Sequence, residues 1–186
     1  MDKKELQNPA LYTNRELSWL LFNKRVLSEA RDKQLLLFER LKFLSITASN
    51  LDEFFMVRIG SLVDMIHAEY TKKDIAGMSA KEQLDALMEE THKFAALQYS
   101  TYNRMLLPQL RANGLNFVEH HEQLTERQAQ YVDEYFEENV YPVLTPMAMD
   151  SSRPFPLIRN KTLNIGALIC RKDDKEKHKT LDFATV

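Results

Sequence analysis

Apolar residues recur every three or four positions through the first two thirds of this 186-residue chain. That spacing puts them on one side of an α-helix, so it predicts helices that bury one face against each other. Four helices are predicted: "TNRELSWLLFNKRVLSEARD", "LLLFERLKFLSITA", a third from Asn50 to about Tyr70, and a fourth from Ser79 to about Ala112. Because the polar links between them are short, we expect an antiparallel helical bundle over residues 1–112.

Four residues mark the ends of these predicted helices. Thr13 and Ser79 each precede a glutamate by three residues, the pattern in which side chain and backbone cap each other at a helix start. Gly114 follows the fourth helix, where glycine commonly closes a helix. Pro108 is expected to kink or shorten that helix, because proline lacks the backbone N–H that a helix interior uses.

The pattern changes after Gly114. "LNFVE", "TLNIGALICRK" and "TLDFATV" have the composition of strands, and the last two are predicted to pair as a hairpin. Before that hairpin come a helix with Thr125 and Gln128 as its capping box and a segment with four of the six prolines. The predicted fold class is α+β, with the N-terminal helical bundle followed by an α/β domain over residues 113–186. Because Val186 ends inside an apparent strand, we expect this second domain to be truncated.

Composition excludes several classes of function. The four glycines are too widely spaced to form a glycine-rich phosphate-binding loop. A net charge of −2 gives no reason to expect a nucleic-acid partner, and the single cysteine excludes an internal disulfide. No apolar run approaches the roughly 20 residues of a transmembrane helix. We therefore expect a cytoplasmic protein without a transmembrane segment, and peripheral association with a membrane is left open.

The start of the third predicted helix, "SNLDEFFMVRIG", has two interpretations. In the first, Asn50 is only an N-cap, and Glu53 completes its capping box. In the second, the Asn50 amide also contacts a ligand. At about 100° per residue, one ordinary apolar stripe is formed by Leu51, Phe55, Ile59, Leu62 and Ile66.

A second apolar patch lies outside that stripe, on the side of Asn50. It consists of Phe54, Val57 and Met65, and Arg58 lies between the two faces. Such a patch suits either a second neighbouring helix or a flat apolar ligand. An adenine ring would fit the second case, with the amide reading its edge and the guanidinium near phosphate.

The other polar residues indicate no catalytic or metal-binding site. The histidines lack the spacing of metal ligands and lie scattered at His67, His92, His120, His121 and His178. Basic residues of the first three helices alternate with acids, which favours solvated faces over a polyanion-binding patch; they are Lys24, Arg25, Arg40, Lys42 and Arg58. Trp19 and Phe22 are expected in the core or at an interface.

Three long segments resemble, in the right order, the N-terminal part of bacterial polyphosphate kinase. They are "NRELSWLLFNKRVLSEA", "LLFERLKFLSITASNLDEFFMVRIG" and "TPMAMDSSRPFPLIRNKTLNIGALI". The resemblance extends from about Tyr12 to Val186. It implies part of a phosphotransferase that reversibly moves the terminal phosphate of ATP onto long-chain inorganic polyphosphate, leaving ADP.

The resemblance also implies how the work is divided within such an enzyme. This chain would hold the helical N-terminal domain and the beginning of a head domain, while the phosphorylated histidine and the magnesium ligands lie in C-terminal domains. No catalytic or metal-binding residue is therefore carried over, and we expect the chain alone to be inactive. Asn50 matches the family's nucleotide-contacting asparagine, and the family's interlocked dimers imply a homo-oligomer. The alternative is a non-catalytic helical module whose patch on the third helix docks a protein.

Overall fold

The computed structural model describes residues 5–149, 155–170 and 182–186. The chain divides into two compact units, Met1–Phe117 and Val118–Val186. The first unit contains five α-helices: α1 (Arg15–Arg31), α2 (Leu37–Phe54), α3 (Gly60–His67), α4 (Ala80–Ser100) and α5 (Leu107–Ala112). Two π-helical segments, Phe55–Ile59 and Thr101–Leu106, join α2 to α3 and α4 to α5 without a break in the helix. Two short 3₁₀ turns, Glu5–Gln7 and Pro9–Leu11, precede α1.

The helix starts at α1 and α4 were predicted with unequal success. Ser79 and Glu82 form the predicted capping box at α4. At α1 the prediction of Thr13 was wrong by one residue, because the Asn14 side chain accepts from the backbone N–H groups of Glu16 and Leu17. Asn14 also donates from Nδ2 to the Gln83 side-chain oxygen at 2.9 Å, so the cap of α1 is itself fixed by α4.

The predicted N-cap role of Asn50 is wrong. Asn50 lies inside α2, and the second and third predicted helices form one continuous helical segment through it. The stretch around it contains neither glycine nor proline, so nothing in the sequence stops the helix there. A residue inside a helix has no orphan N–H groups to cap, since the carbonyls one turn earlier already accept them. The Asn50 side chain is therefore available for other contacts.

The π-helical segment Phe55–Ile59 changes which residues face the core. Phe54 is 2% exposed and Ile59 7% exposed, whereas Phe55 is half-buried. The wider π turn inserts one residue between two stretches of normal helical spacing, which shifts the buried face by about 100°. The prediction that Phe54 lies outside the core stripe was wrong for this reason.

The core of the first unit consists of two adjoining clusters. One is formed by Leu20, Leu27, Ala30, Leu44, Phe94 and Leu106. The other is formed by Phe54, Ile59, Leu62, Ala80 and Leu87. Trp19 and Leu51 pack against both, so they join the α1–α2 pair to the π segment and α3.

The end of the helical unit follows the prediction. The α-helix is interrupted by the π segment before Pro108, which lies in the first turn of α5 where its missing N–H costs little. Gly114 adopts a φ of 82°, and its N–H donates to the Arg111 carbonyl, while Leu115 donates to the Leu110 carbonyl. These two bonds form a Schellman motif. The predicted strand "LNFVE" is absent from residues 115–119, and its first residue serves instead to close α5.

The described residues of the second unit combine one α-helix with a small sheet. They contain α6 (Glu126–Tyr135), a π segment (Phe136–Val140), 3₁₀ turns at His121–Gln123 and Tyr141–Val143, and strands β1 (Met147–Met149), β2 (Gly166–Ile169) and β3 (Asp182–Thr185). Thr125 and Gln128 form the predicted capping box of α6. The sheet order is β1-β3-β2 with both pairs antiparallel, which confirms the predicted pairing of the last two strands. The predicted turn between them lies outside the described residues. The α+β fold class is confirmed.

An ion-pair network ties α1 to α4 and gives a pH-dependent prediction. Lys24 donates to Glu90 at 2.7 Å, and Lys93 donates to Glu90 at 2.9 Å. These bonds, the one from Lys24 foremost, lower the pKa of Glu90 from 4.5 to about 2. A lowered pKa in the folded state stabilises the fold above pH 4.5, and that contribution disappears as the pH falls to about 2.

We expect Glu90→Gln to lower the thermal midpoint near neutral pH and to weaken its decline between pH 4.5 and about 2. Thermal unfolding followed by circular dichroism across that range measures both effects. Glu89→Gln is the matched control, because Glu89 pairs with Lys93 within α4 and does not reach α1. An equal loss in the two variants would contradict the importance of the link between helices.

Candidate functional site

A concave pocket opens between α1 and the junction of α2 with its π segment. Its volume is about 340 Å³, and it is lined by Arg15, Glu16, Trp19, Phe22, Asn50, Glu53, Phe54, Val57 and Arg58. This volume is near the lower end of the range for small-molecule sites, which is about 300–1,000 Å³.

The pocket follows from the helical spacing of the two elements that form it. On α1, Glu16, Trp19 and Phe22 lie three residues apart and therefore share a face. Asn50 and Phe54, one turn apart, face them from α2. The Trp19 and Phe54 rings stack with centroids 4.3 Å apart and planes 6° apart, which makes one side of the pocket aromatic, with the half-buried Trp19 the more accessible ring. Val57, 52% exposed, lies at the rim.

The side-chain amide of Asn50 is held in place by a hydrogen bond to α1. Its Nδ2 donates to Asn23 Oδ1 at 3.1 Å. Asn23 is fully buried, and its own Nδ2 donates to the Thr47 carbonyl of α2 at 3.1 Å. Asn23 thus bonds to α2 at both ends of its side chain, and it fixes the position of Asn50 at the pocket wall.

The charges of the pocket nearly cancel. Glu16 is buried, and its carboxylate accepts from Arg15 Nε at 2.9 Å and lies 3.9 Å from Arg58 Nε. The second acid, Glu53, is exposed at the pocket wall. Two guanidinium groups and two carboxylates therefore line the pocket, so the pocket carries no excess positive charge. Such a site suits a neutral ring, whereas a triphosphate would need unpaired cations or a metal ion.

The structure brings most of the predicted ligand-binding face together. Asn50, Phe54, Val57 and Arg58 line one pocket, although Phe54 is also part of the core. Met65 does not line it and belongs to a neighbouring cavity that shares Arg15, Glu16 and Arg58. Asn50, Val57 and Arg58 lie on the side that the sequence predicted, even though Asn50 does not begin a helix.

Residues contributed by α1 were missed. Trp19 and Phe22 were expected only in the core or at an interface, and Glu16 and Asn23 were given no role at the site. One signal was present in the sequence, because Asn23 lies between Leu20 and Leu27 on the apolar face of α1. A polar residue at such a position must find a buried partner, and Asn50 is that partner.

The prediction that the basic residues of the first helices lie on solvated faces was wrong for Arg40. Its side chain is 2% exposed. Nε donates to the Ala30 carbonyl at 3.0 Å, and Nη1 donates to the Gln109 side chain at 3.1 Å. Arg40 is a buried link between helices, and it lies at the opposite end of α2 from the pocket.

Within residues 5–149, 155–170 and 182–186, no group of three or more His, Cys, Asp or Glu side chains is arranged to hold a metal ion. In the same ranges, no helix has both the length and the apolar character needed to cross a bilayer.

Two family models match the chain. The model of the polyphosphate kinase N-terminal domain matches residues 12–118, and that of the polyphosphate kinase middle domain matches residues 127–186. The chain is 51% identical over 175 residues to a polyphosphate kinase from Lactiplantibacillus plantarum, covering 94% of this chain and 24% of that protein. It is 45% identical over 177 residues to one from Bacillus anthracis, covering 94% of this chain and 25% of that protein.

A solved structure shows the same fold. The crystal structure of polyphosphate kinase from Porphyromonas gingivalis matches with a TM-score of 0.73 and 29% sequence identity, covering 93% of this chain and 24% of that one. The chain therefore spans about a quarter of the length of the relatives that it matches.

Proposed function

Because the chain belongs to the polyphosphate kinase family, we propose that its N-terminal unit binds the adenine base of ATP in the pocket between α1 and α2. The observation that carries the proposal is the position of Asn50, whose amide is held at the wall of a pocket with an aromatic side. Aromatic walls hold a base by its face, and an amide recognises its edge by hydrogen bonds.

The charges of the pocket support the base rather than the phosphates as the occupant. The buried Glu16 pairs with Arg15 and lies 3.9 Å from Arg58 Nε, so it offsets part of the positive charge that a triphosphate would need. The phosphates of a bound ATP would then extend out of the pocket. In this proposal the reacting phosphate is positioned by parts of the enzyme outside this chain, and the chain supplies base recognition.

For the intact enzyme we propose the reaction implied by the family. The terminal phosphate of ATP is transferred reversibly to polyphosphate, leaving ADP, with magnesium and a phosphorylated histidine supplied by the remaining domains. We assign no catalytic or metal-binding residue to this chain, and we propose that the enzyme acts as a homo-oligomer in the cytoplasm. The contribution of residues 1–186 to such a reaction is positioning, which can supply much of the catalysis of phosphoryl transfer.

Asn50→Ala tests the base-binding role. In a full-length polyphosphate kinase that carries this region, we expect the variant to raise the KM for ATP about fivefold, the effect of one hydrogen bond. The kcat should change little, because the base is remote from the reacting phosphate. Steady-state kinetics of polyphosphate synthesis over a range of ATP concentrations measures both constants.

Gln98→Ala is the matched control. Gln98 also forms one amide hydrogen bond between helices, donating to Thr47 Oγ1 at 3.0 Å, but it lies away from the pocket. The Gln98→Ala variant should have the same KM for ATP as the unmodified enzyme. If Asn50→Ala also leaves the KM unchanged, the base-binding proposal fails. The alternative of a protein-docking module, for which the exposed Val57 and Phe22 side chains at the rim are the supporting observation, would then be preferred.

A further inference from the structure

We propose that Asn23 is a positioning residue that makes the pocket select a 6-aminopurine over a 6-oxopurine. The inference rests on the proposed base-binding function and adds a residue and a specificity to it. Asn23 does not line the pocket. It acts through Asn50, by fixing which end of the Asn50 amide is turned away from the ligand.

The hydrogen bonds of Asn23 can be arranged in only one way. The Thr47 carbonyl can only accept a hydrogen bond, so the Asn23 atom 3.1 Å from it must be the donor Nδ2. The other end of the Asn23 amide is then Oδ1, which can only accept. Asn50 must therefore direct its Nδ2 towards Asn23, as the 3.1 Å contact shows. The Oδ1 of Asn50 is left as the acceptor that Asn23 does not use.

This arrangement is held rigidly. Asn23 and Thr47 are both fully buried. Thr47 Oγ1 donates to the Leu44 carbonyl at 2.7 Å, so the Thr47 side chain is held within α2. Turning the Asn23 amide over would place its Oδ1 against the Thr47 carbonyl oxygen. Because both atoms are acceptors, the buried Asn23 Oδ1 would be left without a donor. That cost fixes the orientation of both amides.

The orientation has a consequence for the base. Adenine carries a donor at position 6, the exocyclic amino group, whereas hypoxanthine and guanine carry a carbonyl acceptor there. Asn50 Oδ1 can accept from the amino group of adenine. Against a 6-oxopurine in the same position, two acceptors would face each other, and the amide could not turn to offer its Nδ2 without breaking the bond to Asn23. Sites built to hydrogen-bond a given group discriminate strongly against analogues that lack it.

The test compares ATP with inosine triphosphate (ITP) in the full-length kinase that carries this region. We expect the unmodified enzyme to prefer ATP about tenfold in kcat/KM, the effect of one mismatched polar contact. Asn23→Leu, which has a similar volume but holds no amide, should reduce that preference to about twofold. The change should include a lower KM for ITP, because a released Asn50 can turn its Nδ2 towards the 6-oxo group. A variant that only loosened the fold would lower kcat/KM for ATP and for ITP by the same factor.

Gln98→Leu is the control for general effects on helix packing, since it removes an amide hydrogen bond from α4 to the Thr47 hydroxyl and leaves Asn23, Asn50 and the Thr47 carbonyl in place. It should keep the tenfold preference. Asn23→Ala serves as a second variant if Asn23→Leu does not fold. Equal use of ATP and ITP by the unmodified enzyme would overturn the inference, and so would an unchanged preference in the Asn23 variants. The base-binding function would survive either result as long as Asn50→Ala raises the KM for ATP. An unchanged KM in Asn50→Ala would instead refute the base-binding function itself.

Discussion

Replacing Phe54 with alanine should lower the free energy of unfolding by about 3–5 kcal/mol and should also raise the KM for ATP about tenfold. Both effects arise from one side chain. Phe54 is 2% exposed, it belongs to the second core cluster, and it stacks on Trp19 at the wall of the pocket. Removing its ring leaves a cavity in the core and lets the Trp19 indole move away from the base.

Denaturant unfolding of the chain measures the first effect, and kinetics of the full-length kinase at a temperature where the variant stays folded measures the second. Phe55→Ala is the matched control, because Phe55 is the adjacent phenylalanine but is only half-buried and does not line the pocket. It should cost about half as much stability and leave the KM for ATP unchanged. A larger loss for Phe55→Ala than for Phe54→Ala would mean that the helix passes this point with ordinary α-helical spacing.

One part of the helical unit, the turn after Phe54, was predicted incorrectly from the sequence. Regular spacing of about 100° per residue placed Phe55 in the core stripe and Phe54 outside it. The π segment at Phe55–Ile59 adds one residue to the turn and moves Phe54 into the core. A π turn has no sequence signature comparable to a capping box or a proline, and it is stabilised by tertiary packing on both sides. It could not be predicted from the spacing of apolar residues alone.

Two of the three capping boxes predicted at helix starts outside the Asn50 stretch are confirmed, and the third, at Thr13, was wrong by one residue. The box of Ser79 and the one of Thr125 depend only on residues three positions apart, and both are present. Asn50 shows the opposite case, because the same kind of motif lies inside a continuous helix. The side chain of a capping-type residue inside a helix is a polar group without its usual partner, and here it bonds to Asn23 on another helix. That pairing joins positions 27 residues apart in the chain, which no local pattern reveals.

The second large effect is expected at Arg40, where alanine should cost about 2–4 kcal/mol of unfolding free energy. Ala30 lies in the last turn of α1, where carbonyl groups have no partner within the helix. Arg40 Nε donates to the Ala30 carbonyl, so one side chain of α2 closes the end of α1. The guanidinium is buried without an ion-pair partner among the described residues, and its Nη2 has no hydrogen-bond partner there. Burial of this charge offsets part of what its two hydrogen bonds contribute.

Arg40→Met separates the cost of burying the charge from the contribution of the hydrogen bonds. Methionine keeps most of the apolar volume and removes the buried charge, but it leaves the Ala30 carbonyl without its donor, so we expect a smaller loss of about 1–2 kcal/mol. Denaturant unfolding of both variants measures the difference, and a methionine variant as stable as the unmodified chain would show that the bond to Ala30 contributes nothing. The KM for ATP should change little in either variant, since the pocket lies at the other end of the α1–α2 pair, where Asn23 and the Trp19–Phe54 stack hold it. We expect the Arg40 variants to lose stability but to keep their affinity for the nucleotide, whereas Phe54→Ala should lose both. That difference would distinguish the part of the helix pair that maintains the fold from the part that holds the base.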